Sequence, residues 1–301
     1  MLVKKIQVKT ALHRLYKKIY PYDWDLNIYR GCSHKCVYCY ALYSHKYLEE
    51  NSNNPGEFFD TIYVKTNIVE VLEKKLSSPR WKKDIINFGG VCDSYQHIEK
   101  KYQLMPKILK LMIKYENPMI ISTKSDLILR DIDLIKKLAS KTYVNIAETI
   151  TCIDENIRKK IEPYSVPSLR RFEVLKIFRD KTNASIGVHF MPILPFLTDN
   201  RENIEWIMKK TKEIRAHYIL TYGLNLKTQT RKYFFDFLKK EFPDLVSKYY
   251  DLFDNPQTKK EYIQKIYPLI KKLKNKYKVS SNYNKVIKSP QLEDKCGDKK
   301  S

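Results

Sequence analysis

From residue 84 to residue 224, short apolar runs alternate with longer segments whose apolar positions recur every three or four residues. A continuous or alternating apolar run marks a buried strand, and a period near 3.6 marks a helix with one face on the core. DIINFGG (84–90) reads as a strand ending in a glycine turn, followed by a helix over KYQLMPKILKLMIKYE (101–116). MIISTKS (119–125) and YVNIAETIT (143–151) are the next strands, with a helix over RDIDLIKKLAS (130–140) between them and helices near 154–162 and 168–181 after them. ASIGVHFMPIL (184–194) is a strand, NRENIEWIMKKTKEIR (200–215) a helix, and AHYILTYGL (216–224) the last strand. WDLNIYRG (24–31) predicts the first strand.

Six strands, each followed by helix, predict a parallel sheet with right-handed crossovers. No phosphate-binding glycine fingerprint follows the first strand, which argues against a dinucleotide-binding fold. The count fits an α/β partial (β/α)6 TIM-type barrel. In such a barrel the chemistry gathers at the C-terminal ends of the strands. The odd polar residues fall there: a cysteine-rich loop, then Gly89–Gly90–Val91–Cys92–Asp93, Thr123–Lys124–Ser125, Thr149–Ile150–Thr151 and Met191–Pro192. The alternation stops near 227, where two amphipathic stretches predict a helical C-terminal extension. The chain is thus expected to divide into an N-terminal extension (1–20), a core (21–226), a basic helical extension (227–280) and a flexible polar tail (281–301).

Charge changes the picture more than length does. The 301 residues hold 57 Lys and Arg against 34 Asp and Glu, a formal net charge of +23. Such a surplus favours phosphate-rich partners through counterion release. The same lysine-rich, glycine-poor usage also occurs in heat-adapted proteins, so charge alone leaves nucleic acid open. No apolar run approaches the ~20 residues of a membrane span, and residues 1–20 lack a secretory pattern. No membrane partner is expected, and a cytoplasmic location is. The six cysteines should then be reduced thiols or metal ligands.

Three of them stand in RGCSHKCVYCYA (30–41), where Cys32, Cys36 and Cys39 form C-x3-C-x2-C directly after the first strand. A structural zinc site takes four ligands, and His34 or His45, or a distant Cys92, Cys152 or Cys296, could supply the fourth. An iron–sulfur cluster takes thiolates, and three of them on a [4Fe–4S] cluster leave one iron open to a small molecule.

At these residues the sequence resembles the radical S-adenosylmethionine (SAM) superfamily, in its branch related to spore photoproduct lyase. The resemblance rests on NIYRGCSHKCVYCYA, FGGVCDSYQHIEKKYQLMPKIL, ISTKSDLILRDIDLI, IEPYSVPSLRRFEVLK and MPILPFLTDN, in that order, and covers about 20–225. It implies a [4Fe–4S] cluster on Cys32, Cys36 and Cys39, with SAM on the open iron. A reductant such as a ferredoxin or flavodoxin would supply one electron to cleave SAM. The resulting 5′-deoxyadenosyl radical would take hydrogen from a substrate carbon in an anaerobic setting.

The same resemblance assigns expected roles. Tyr38 would lie against the adenine, Gly89 and Gly90 would meet the methionine amino group, and Lys124 would pair with the SAM carboxylate. The acidic residue usual after the glycines is replaced by Val91, with Asp93 two positions on. Ser122, Thr149 and Thr151 are candidates for the ribose hydroxyls, and Pro192 and Pro195 for the turn beside adenine. Cys92 and Tyr40 are expected to return hydrogen to the product radical. His34, His97 and His189 are candidate acid–base or cluster-loop groups. Lys271, Lys272, Lys274, Lys276 and Lys278, with Tyr277 among them, are candidate phosphate contacts, so the substrate expected is nucleic acid, processed in lyase-like fashion. The alternatives are a protein or metabolite substrate, and a non-catalytic zinc-bound nucleic-acid-binding protein.

Overall fold

The computed structural model describes residues 1–16, 21–47 and 56–282. The chain opens with β1 (Leu2–Ile6) and β2 (Leu12–Arg14), two strands that the apolar alternation does not reveal. Both are largely exposed on their side chains, so neither carries the buried pattern by which strands are recognised. The single strand expected over 24–31 is two: β3 (Trp24–Leu26) and β4 (Tyr29–Arg30). The break has a local cause. The Val91 N–H is bonded to the Asn27 side chain, and the Cys92 thiol to the Tyr29 carbonyl, so the backbone beyond Leu26 leaves the ladder.

After the cysteine loop come α1 (Glu57–Asp60), β5 (Thr61–Lys65) and α2 (Ile68–Leu76). β5 pairs in parallel with β1 and antiparallel with β4, closing a three-stranded sheet of its own. The predicted alternation then follows with small shifts: β6 (Ile86–Phe88), α3 (Glu99–Tyr102), α4 (Leu104–Tyr115), β7 (Met119–Thr123), α5 (Ile132–Ala139), β8 (Val144–Thr149), α6 (Glu155–Ile161), α7 (Ser168–Lys181), β9 (Ser185–Ile193), α8 (Arg201–Glu213) and β10 (Tyr218–Gly223). The helix expected over 101–116 is cut at Gln103, which is left-handed at φ 46°. There the Glu99 carboxylate takes the free N–H groups of Leu104 and Met105 at 3.1 and 3.0 Å.

β3, β6, β7, β8, β9 and β10 lie side by side in parallel, with β2 antiparallel at the β3 edge. This is the partial barrel. One sheet face, with Ile86, Phe88, Ile121, Ile146, Val188 and Phe190, joins the apolar core shared with the surrounding helices. The other face is polar and bonds strand to strand. Asn87 donates to Asp25 at 2.8 Å, Tyr218 to Asn145 at 2.8 Å, and Asn145 to Ser185 at 3.0 Å.

Beyond the barrel come α9 (Thr228–Glu241), α10 (Val246–Asp254) and α11 (Pro256–Tyr277), with Pro243 separating the first two. α9 and α10 build a second apolar core in which Phe234, Leu238 and Tyr249 join Cys36, Val37 and Tyr38. The Thr230 hydroxyl donates to the Cys39 carbonyl at 2.9 Å. α11 runs against α8, where Lys276 and Tyr277 meet Glu205. The tail beyond 282 and Cys296 lie outside the described residues.

Candidate active site

The cysteine loop is tied at both ends before any ligand is considered. Cys32 N–H donates to Phe58 O at 3.1 Å, Ser33 N–H to the Gln96 side chain at 2.9 Å, and Val37 N–H to Ile161 O at 3.0 Å. Cys32 and Cys36 are buried, Cys39 is half-buried, and all five described cysteines are free thiols. Burial pushes the Cys36 thiol up to about 12 and raises Cys32 and Cys39, while Lys124 pulls Cys36 and Cys39 the other way. The unliganded loop therefore holds thiols, and a thiophilic metal group must displace their protons.

The donor set fits an iron–sulfur cluster. Among the described residues, no three His, Cys, Asp or Glu side chains converge tightly enough to grip a single ion. Of the histidines offered as a fourth zinc ligand, His34 has both ring nitrogens engaged. His34 bonds Asp93 through Nε2 at 2.9 Å and the Tyr164 carbonyl through Nδ1 at 3.0 Å. His45 turns Nε2 to the Thr61 carbonyl at 3.0 Å. Three thiols in a C-x3-C-x2-C loop suit a [4Fe–4S] cluster that keeps one iron open.

Two carboxylates clamp the loop. Asp93 accepts from His34, from Thr123 Oγ1 at 2.8 Å and from the N–H groups of Lys124 and Tyr95, both at 2.8 Å. Burial opposes its charge, but His34 and these donors outweigh it and hold the carboxyl at about 2. Glu162 accepts from the Tyr38 hydroxyl, from Thr151 Oγ1 at 3.0 Å and from Arg171 at 2.5 Å. Burial again opposes ionisation, and Arg171 and Lys124 overcome it, holding Glu162 at about 2. Lys124 stands between the two clamps, its ammonium 5.9 Å from the centre of the Tyr38 ring. Burial works against its charge, yet Cys36 and Glu162 outweigh burial and hold it above its ordinary value.

The strand ends bring most of the expected residues to one rim, with some reassigned. Gly89 is left-handed at φ 91°, and an added Cβ would meet the Ser122 carbonyl at 2.8 Å. A Cβ on Gly90 would strike the Asp25 carboxylate at 2.4 Å. The Tyr40 ring is exposed and its hydroxyl donates to the Gly90 carbonyl, which joins the cysteine loop to the loop after β6. Cys92 in that loop is buried, its thiol 3.2 Å from Tyr29 O. Ser122 faces His189 Nδ1 at 3.4 Å on the polar sheet face. Burial, with the nearby Lys124 charge, lowers His189 to about 3, so its ring is neutral. Thr149 is buried at the end of β8, its carbonyl bound by Arg171 at 2.6 Å. Pro192 follows a cis peptide in β9, and the Pro195 carbonyl accepts from Tyr249.

The geometry bears on several of these residues. Thr151 is fully buried with its hydroxyl spent on Glu162, so it faces the clamp rather than a ribose. Tyr38 is also buried with its hydroxyl on Glu162, which leaves only its ring face for a ligand. Asp93 is saturated by donors and holds the loop. His97 is exposed, and Cys152 is buried with its thiol on the Asp154 carbonyl. The sequence reading missed Glu162, Arg171 and Glu148. Glu148 on β8 is fully buried, its carboxylate oxygens have no partner, and burial raises it well above the carboxylate range. An ionisable residue inside an otherwise apolar strand run is the signal that could have flagged it.

With this geometry in hand, comparison defines the class: a radical-generating enzyme on a partial barrel with a three-cysteine loop. The sequence model of the Radical SAM superfamily matches residues 26–207. An uncharacterised protein of Mycobacterium tuberculosis is 32% identical over 277 residues, covering 89% of this chain and 80% of its own. One of Methanocaldococcus jannaschii is 33% identical over 271 residues, covering 89% and 93%. Spore photoproduct lyase in a variant form shares the fold at TM-score 0.63 and 10% identity, covering 91% of this chain and 79% of that one. A second variant, with bound AdoMet and dinucleoside spore photoproduct, superposes at TM-score 0.58 and 12% identity, covering 85% and 80%. The chain belongs to the radical SAM superfamily. It is a radical SAM enzyme, and its cofactors are a [4Fe–4S] cluster and SAM. The zinc-bound, non-catalytic alternative is set aside. No described helix is long and apolar enough to cross a membrane.

Proposed function

We propose that this enzyme acts on a nucleic acid in lyase-like fashion, in the cytoplasm, with Cys92 and Tyr40 returning hydrogen to the product. Residues 21–226 carry the chemistry and the basic segment 227–280 grips the substrate. A ferredoxin or flavodoxin is the reductant. When bound, the cluster and SAM supply one-electron chemistry that removes a hydrogen atom from a substrate carbon. Cys32, Cys36 and Cys39 hold three irons. Lys124 favours the thiolate forms of Cys36 and Cys39 and offers its charge to the SAM carboxylate. Gly89 and Gly90 leave bare backbone for the methionine end, and Ser122 and Thr149 face the ribose. The Tyr38 ring and Pro192 border the adenine.

The observation that carries the hydrogen-return reading is the state of Cys92. Burial pushes its thiol up to about 12 against the pull of Lys65, so it keeps its hydrogen at neutral pH. Tyr40 bonds the carbonyl two residues earlier in the same loop. Cys92 gives one hydrogen atom to the product radical and is refilled through Tyr40 from the group that took the first hydrogen. No hydrogen is gained or lost overall.

Anaerobic reconstitution tests the cofactor site first. About four irons per chain and an EPR spectrum changed by SAM are expected. With substrate in deuterated water, Cys92→Ala should lower product yield and deuterium incorporation. Unchanged values would remove Cys92 from the pathway. For nucleic acid, affinity should fall steeply with salt; binding indifferent to salt, or none, would favour a protein or metabolite substrate.

A further inference from the structure

The small sheet presents a row of cations toward the rim of the site. Arg30 on β4 lies opposite Tyr63 on β5, and Lys65 follows two residues on, so both point to one face. Lys4 of β1 also lies opposite Tyr63, its ammonium 5.5 Å from the ring centre. Arg30 and Lys65 are half-buried. Lys65 donates to the Asn27 carbonyl at 2.5 Å. Among the described residues, neither cation meets a carboxylate, and the Arg30 guanidinium has no hydrogen-bond partner. The groups facing Arg30 are Tyr63, Cys92 and Tyr43; those facing Lys65 are Cys92 and Arg30.

Two adjacent cations, partly withdrawn from water and without a counter-charge, repel each other and leave donors unpaired. A guanidinium fork beside an ammonium is the donor arrangement that an oxyanion satisfies. The place also fits. The Tyr29 carbonyl that receives the Cys92 thiol at 3.2 Å belongs to the peptide leading into Arg30, and the Asn27 side-chain oxygen lies 3.9 Å from the same sulfur.

We propose that Arg30 and Lys65 form an anion-binding site that takes a phosphate group of the substrate beside Cys92. The substrate half of this statement rests on the active-site reading above; the anion site itself does not. The test therefore uses the full chain without its cluster, titrated with inorganic phosphate by calorimetry. Native protein should bind, and Arg30→Gln and Lys65→Met should each weaken binding roughly ten-fold. Arg30→Lys should recover part of the loss, since it restores charge without the fork. Lys110→Gln, at an exposed position on α4, should change nothing. Competition by a short oligodeoxynucleotide would place the phosphate in a polymer backbone, and competition by glycerol phosphate alone would place it on a small molecule. No phosphate binding by native protein, or equal loss in Lys110→Gln, would overturn the site. Iron incorporation, measured separately on the same variants, reports on the cluster reading and not on this one.

Discussion

Glu162 shows how much of the site depends on a residue that touches no expected ligand. It receives Tyr38, Thr151 and Arg171 in a pocket closed to water. Removing one partner of a buried ion pair costs about 3–5 kcal/mol, because the other charge stays buried and unpaired. Glu162→Gln should therefore destabilise the fold by that order in urea, and Tyr38→Phe by about 1 kcal/mol. Because both act on one contact, the double variant should lose less than the sum. Additive losses would mean that Glu162 serves Arg171 alone. At this scale the three-cysteine loop was legible, since its spacing is local and follows a strand. Glu162 was not, because it lies 124 residues from Tyr38 and no periodicity links them.

Buried acids of two kinds oppose each other, Glu148 on β8 against Asp93 and Glu162 in the loops beyond the strands, which gives a pH dependence of definite sign. Asp93 and Glu162, both held at about 2, bind fewer protons folded than unfolded between pH ~4.5 and ~2. Their stabilisation is complete above that window and is lost as pH falls through it. Glu148 on β8 is raised instead, so the folded state binds the extra proton, and stability falls as pH rises above the ordinary carboxylate range. Glu148→Gln should flatten that upper limb in urea melts from pH 5 to 8 and leave the acid limb in place. An unchanged upper limb would show that Glu148 is not protonated in the fold. The strand itself was plain from its apolar run, as were five of the six barrel strands. β1 and β2 escaped notice because their side chains are mostly exposed, so pairing rather than burial defines them. β5 has the composition of a strand, but it stands outside the βα repeat that carried the reading.

Across the whole molecule, the C-terminal extension is less a separate grip than the sequence suggested. The five-lysine stripe on α11 is divided: Lys274 turns in to Thr221 and Ser281 at 2.9 and 2.8 Å, and Lys276 is paired with Glu205. Lys271, Lys272 and Lys278 remain exposed. Amphipathic period predicted these helices but could not say what their apolar faces cover, since that depends on packing between distant segments. The structure puts Phe234 of α9 in one core with Cys36, Val37 and Tyr38. Phe234→Ala should cost about 3–5 kcal/mol. More tellingly, it should raise amide hydrogen exchange across residues 32–39 in the cluster-free protein and slow iron uptake. Met112→Ala, in the barrel core away from that contact, should cost about 2–5 kcal/mol and leave exchange in 32–39 unchanged. If both variants loosen the loop equally, the extension is only ballast to the fold. If Phe234→Ala alone does so, α9 is the outer wall of the cluster site, and a substrate gripped by the extension is held within reach of the chemistry.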